Sequence, residues 1–213
     1  MTWFKCIGGS APTPPVVTPS LTLKYENSTS GATTYTVPND GIYLIAITYA
    51  LAGIGSITLP AGRTAMYSGD FILTDAQSRE KGTKIAVAEL QAGDIITLSA
   101  TPSGAWNAFS KIVLELPFAV TTLVDSNMVD DTNMNYTLST GTGDVLCIVS
   151  AWARQNNGTN LYDYTKPVVD SEMVAGFAGI NTMFRAFICD VTDFPTITAR
   201  GYDGGGVVAV VLQ

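Results

Sequence analysis

Short runs of apolar and β-branched residues recur along this chain about every 8–12 positions, and Gly, Pro, Asn or Asp fills most of the gaps, the spacing of a sandwich or barrel. Thr34-Tyr-Thr-Val37 reads as a strand leading into the turn Pro38-Asn-Asp-Gly41, whose Asn-Asp-Gly is expected to supply a positive-φ residue. Ile42-Tyr-Leu-Ile-Ala-Ile-Thr-Tyr49 is apolar almost without a break, which predicts a strand covered on both faces. Asp70–Leu73, Lys84–Leu90, Asp94–Leu98 and Ser110–Leu116 follow as further strands. No segment shows the periodicity of an amphipathic helix. The 27 threonines, against 11 lysines and arginines together, agree with an all-β chain, because β-branching suits strands and helix surfaces favour long charged side chains.

The first twenty residues differ in kind. Met1 to Ile7 is an apolar tip carrying Trp3 and Phe4, and residues 8–20 hold four prolines and two glycines. Proline at that density favours an extended, stiff arm. A hydrophobic tip on such a tether reads as an anchor to a partner, and equally as a frayed terminus.

The second half of the chain repeats features of the first. Tyr35-Thr-Val37 matches Tyr136-Thr-Leu138, and Ile96-Thr97 matches Ile197-Thr198, both pairs 101 positions apart. Ile42–Ala46 matches Val145–Val149, 103 positions on, and Lys111–Leu116 matches Val207–Leu212, 96 positions on. One order of features at nearly constant spacing predicts two related β-sandwich domains, residues 21–117 and 118–213, after an arm at 1–20. The junction Leu116-Pro-Phe-Ala-Val120 is short and apolar, so the two are expected to pack tightly.

Composition narrows the chemistry. With no histidine, the commonest general base and metal ligand is missing, and no serine has a triad partner. A net charge of −7 argues against a nucleic-acid surface. The charge is uneven: residues 1–118 hold 7 basic and 8 acidic side chains, residues 119–213 hold 4 and 10. The acidic groups around Asp125, Asp163 and Asp190 follow no known calcium-loop spacing, so they read as solvated loop charge, and neither metal nor cofactor is expected. Cys147 and Cys189 lie in strand-like runs, as buried thiols or, if their strands are neighbours, as a bonded pair. No apolar run is long enough for a membrane helix, and the N-terminus lacks the pattern of a signal peptide. The segment from Trp152 to Tyr164 mixes aromatics with amides, as carbohydrate sites do. Trp152, Arg154, Asn156, Asn157, Tyr162 and Tyr164 are therefore the candidate receptor or glycan contacts, and Trp3 and Phe4 the candidate particle anchors.

Three pieces of the first half resemble the jelly roll of the C1q/TNF-like superfamily. They are Tyr35-Thr-Val-Pro-Asn-Asp-Gly-Ile-Tyr43, the run Ile85–Leu98 with its Leu90-Gln-Ala-Gly-Asp94 turn, and Trp106-Asn-Ala-Phe-Ser-Lys-Ile-Val-Leu114. The second half departs from this pattern, with Asp193-Phe-Pro195 in place of the Gly-Asp turn. The resemblance implies tandem jelly-roll-like domains assembled as a homotrimer. In style the chain also resembles virion proteins of tailed bacteriophages, such as head fibres, decoration proteins and tail fibres. That implies a non-enzymatic structural protein made in the host cytoplasm, located in the virion, and docked to other virion proteins through its arm. The alternative is a module that binds a carbohydrate or receptor on the host cell.

Overall fold

The computed structural model describes residues 21–27, 30–74, 80–102, 108–130, 133–137, 143–154, 171–177, 180–190, 196–200 and 206–213. Fourteen strands and no helix occur among them. The first seven are β1 (Thr22–Asn27), β2 (Gly31–Thr36), β3 (Gly41–Thr58), β4 (Tyr67–Thr74), β5 (Glu80–Leu90), β6 (Ile95–Pro102) and β7 (Ala108–Leu116). The second seven are β8 (Leu123–Asp130), β9 (Asn133–Thr137), β10 (Asp144–Arg154), β11 (Ser171–Phe177), β12 (Ile180–Asp190), β13 (Thr196–Arg200) and β14 (Gly206–Leu212). Every pairing is antiparallel. The all-β sandwich expected from the pattern is the observed class.

In the first half, β1 pairs β7, β2 pairs β6 and β3 pairs β5, each pairing nested inside the one before. β3 makes this possible by serving two layers. Its first part runs between β5 and β7; after a register shift between Tyr49 and Ala52 its second part pairs with β6. A bulge bends a strand and increases its twist, which is how one strand leaves a sheet and joins the facing layer. The result is a five-stranded layer, β1-β7-β3-β5-β4, opposite a three-stranded one made of β2, β6 and the end of β3. Between them lie Tyr43, Ile45, Ile47, Tyr49, Leu90, Ile96, Leu98 and Val113, all buried.

The second half uses the same scheme: β8 pairs β14, β9 pairs β13, and β10 pairs β12. The residues matched in sequence take up matched registers, since Tyr35 faces Ile96 and Tyr136 faces Ile197. One matched segment needs a correction. Leu44 and Ala46 face the shared core and so do Leu146 and Ile148, so the offset at this strand is an even number of positions rather than 103. A slip of one residue turns a strand over, so an apolar match that ignores the alternation can be off by one without any loss of similarity.

The two five-stranded sheets lie face to face. Leu44, Ala46, Ile85, Val87, Ile112 and Leu114 of the first half share a core with Leu146, Ile148, Phe184, Ala186, Val208 and Val210 of the second. Val120, fully buried in this core, and Phe118, packed against it, tie in the junction. β3 meets β10, β4 meets β8, and β1 meets β11, while β3–β12 is answered by β5–β10. The exchange of halves is incomplete, because β7 packs broadly against β11 while the corresponding pair, β14 and β4, makes no comparable contact. The other face of the second sheet, with Val145, Cys147, Val149, Phe187, Ala209 and Val211, is also buried. The β9–β13 ribbon touches β8, β10 and β14.

Gly31, Gly62, Gly82, Gly93 and Gly143 have positive φ. Gly41 does not, because it is already the first residue of β3, paired with Leu90.

Candidate functional site

The Gly-Asp turn before β6 is the most densely bonded corner of the described chain. Gly93, at φ +90, lets the chain reverse. The Val37 amide donates to the Asp94 carbonyl at 2.8 Å, and the Gly93 amide to the Val37 carbonyl at 2.8 Å. The Asp94 carboxylate accepts from the Gln91 amide at 2.8 Å and from Arg63 Nε at 2.7 Å. Asp40 accepts from the Ala92 amide at 2.9 Å. The Gln91 amide bond, with the Arg63 guanidinium, holds the Asp94 carboxyl below the usual carboxylate range, against a smaller opposing effect of burial. A depressed folded pKa contributes stability that is complete above the unfolded carboxylate range and is lost as pH falls through the folded value. The urea midpoints of wild type and Asp94→Asn should therefore differ by a constant amount between neutral pH and about pH 5, then converge below about pH 4. A gap that persists undiminished in strong acid would show that the charge of Asp94 is not what braces the corner.

A groove of about 220 Å³ opens between the end of β3 and the β4–β5 hairpin, lined by Gly55, Ser56, Ile57, Ser68, Asp70, Lys84, Ile85 and Ala86. Its charges are one pair, Lys84 Nζ to Asp70 at 2.8 Å, with the carboxylate side chain 61% exposed. A pair so open to solvent adds little stability. Its two serines can hydrogen-bond a neutral polar ligand.

Two polar features are buried. Thr48 on β3 and Thr83 on β5 face each other and bond at 2.9 Å, and Thr83 also bonds Ser150 on β10, across the layer between the halves. Ser110, opposite Thr48, is buried beside them. Hydroxyls can donate and accept, so this row is satisfied without a charge. Lys111 on β7 is fully buried and donates to the Gly31 carbonyl at 2.7 Å. Burial holds its ammonium below the ordinary lysine pKa. The sequence signal for both was a polar residue inside an apolar run, which also fits a strand edge.

Trp152 and Arg154 lie at the end of β10, opposite Thr182 and Ile180 of β12. Asn156, Asn157, Tyr162 and Tyr164 lie outside the described residues, as do Trp3 and Phe4. The expected receptor loop is thus represented only by its first strand positions. β10 and β12 are neighbours, but Cys147 faces Phe187 while Cys189 faces Val145, so the two cysteines are diagonal to each other rather than opposite. Diagonal Cα atoms stand roughly 7–8 Å apart, beyond the usual span of a disulfide. Among the described residues no group of three or more acidic or cysteine side chains is placed to hold a metal ion. No helix of the described chain is long and apolar enough to cross a membrane.

No family model, no curated protein and no solved structure matches this chain.

Proposed function

We propose that this chain is a non-enzymatic structural component of a bacteriophage particle, a decoration, head-fibre or tail protein that assembles with copies of itself and docks through its N-terminal arm. The observation that carries the reading is the nested pairing β1–β7, β2–β6, β3–β5, repeated as β8–β14, β9–β13, β10–β12. A long antiparallel ribbon rolled on itself produces this order, and that supports a jelly-roll-like reading. Of the pieces that resemble the C1q/TNF-like pattern, the Gly-Asp turn lies between β5 and β6 and the Phe109-Ser-Lys run lies in β7. The large shared core also suits a rigid building block, because it ties both halves into one body.

The architecture restricts how copies can meet. The β1-β7-β3-β5-β4 face is covered by the second half, so a trimer must form through strand edges or outer faces. Light scattering behind size exclusion tests the assembly. A homotrimer has three times the 22.5 kDa chain mass, about 67 kDa for a closed symmetric ring. A chain that stays at 22.5 kDa, alone and in the presence of particles, would remove the trimer. Deleting residues 1–20 should leave the fold and abolish attachment, and an armless chain that still decorates particles would remove the anchor.

A further inference from the structure

The outer face of the three-stranded layer is an ordered hydroxyl surface. Thr34, Thr97 and Thr58 form one row across β2, β6 and β3, and Ala32, Ser99 and Ser56 form the next. Thr34, Thr58 and Ser56 are exposed, and so is Ile95, at 55% the most exposed of the large hydrophobic residues. None of these positions is charged, although the chain carries −7 overall. The charges at its rim are paired: Asp94 with Arg63, and the more exposed Asp70 with Lys84 in the groove beside Ser56.

We infer that this face is a contact between copies of the chain, with the same layer of a second copy as its occupant. The inference rests on the self-assembly reading above and adds to it a two-fold contact, separate from the heterologous contacts that close a trimer. Two molecules of equal net charge repel wherever their charged surfaces meet, and least across a surface with no charge. A hydroxyl both donates and accepts, so a hydroxyl array is complementary to its own two-fold copy, as an isologous interface requires. Ile95 gives the patch an apolar anchor that is costly to leave in water. Three strands about 4.8 Å apart and seven residues at about 3.4 Å each give roughly 300 Å². A stable stand-alone dimer needs about 800 Å² per partner, so a single contact of this kind is weak and gains strength by repetition in an assembly.

Sedimentation velocity on the full chain tests this over concentrations from about 10 µM to about 1 mM, where weak contacts of this size begin to populate. Wild type should associate as concentration rises, and more so with added salt, which screens the −7 charge. Thr34→Glu/Thr58→Glu puts two carboxylates on exposed positions of the face, and should weaken association at least tenfold. Thr121→Glu/Thr122→Glu adds the same charge at exposed positions before β8, and should associate like wild type. If the Thr34/Thr58 variant associates like wild type, this face is not the contact, although the assembly reading survives. If wild type sediments as one monomeric species throughout, the contact falls with self-assembly, and the arm-deletion experiment still decides the docking part of the proposed function.

Discussion

Leu44→Ala is expected to lower the stability of the whole chain, both halves together, by about 2–5 kcal/mol. Leu44 is fully buried in the layer between the two five-stranded sheets, in one core with Leu146, Ile148, Phe184 and Val210 of the second half. Truncating it removes apolar area from water-free packing and leaves a cavity that two stiff sheets cannot easily close. Because that core belongs to both halves, neither half can lose it alone. Scanning calorimetry should show one unfolding transition for wild type and one, at lower temperature, for the variant. Two separated transitions, with the later one unmoved by the substitution, would show that the halves fold independently. The hydroxyl row of Thr48, Thr83 and Ser150 crosses the same layer and ties the halves at one end, by bonds that need a particular alignment of the sheets.

Gly82→Ala should be at least as damaging, by a different route. Gly82 has φ +145, and an added Cβ would stand 2.1 Å from the Phe71 carbonyl oxygen and 2.9 Å from the Ile72 Cα. Those are backbone atoms of β4, the strand hydrogen-bonded to it, so no side-chain rotation relieves the clash. The β4–β5 hairpin must separate there, disturbing Phe71 in the shared core and the Thr83 bonds next to it. A loss of more than about 3 kcal/mol is expected, in the range reserved for backbone strain and broken buried networks. Gly62→Ala is the comparison. Gly62 also has positive φ, +82, but nothing lies within 4 Å of an added Cβ. Its cost should be near the roughly 1–2 kcal/mol of a left-handed non-glycine residue. Urea unfolding of the two variants separates the contributions, and equal losses would mean that the contact at Phe71 is not what requires glycine at position 82.

Much of the fold was legible because strand formation is local. Ile42–Tyr49 is apolar on both sides of its alternation, and the structure buries Tyr43 and Ile45 in one core and Leu44 and Ala46 in the other. The Gly93-Asp94 turn was legible because a reversal between antiparallel strands needs a residue at ease with positive φ. In Pro38-Asn-Asp-Gly41 the glycine is not a positive-φ residue, because β3 begins there, and nothing local marks where the strand starts. The candidate site was far less legible. Arg63 and Asp94 are distant in sequence and meet only because the turn is pinned to Val37. Lys111 looked like a strand residue, and its burial beneath Gly31 depends on how β2 closes over β7.

By itself, then, the sequence determined the all-β class, the positions of most first-half strands, several turns, and the recurrence of one feature order in both halves. Each follows from side-chain branching, alternation and backbone permissiveness, which act over a few neighbouring residues. Tertiary structure alone decided that β3 serves two layers, that the repeat shifts by an even number of positions rather than 103 at β10, and that the five-stranded sheets bury each other. It also decided which surface stays free of charge, the threonine rows of β2, β6 and β3. Pairing register and sheet stacking join residues tens to a hundred positions apart. Alternation reports that a strand has two faces, and only the packed fold determines what each face meets.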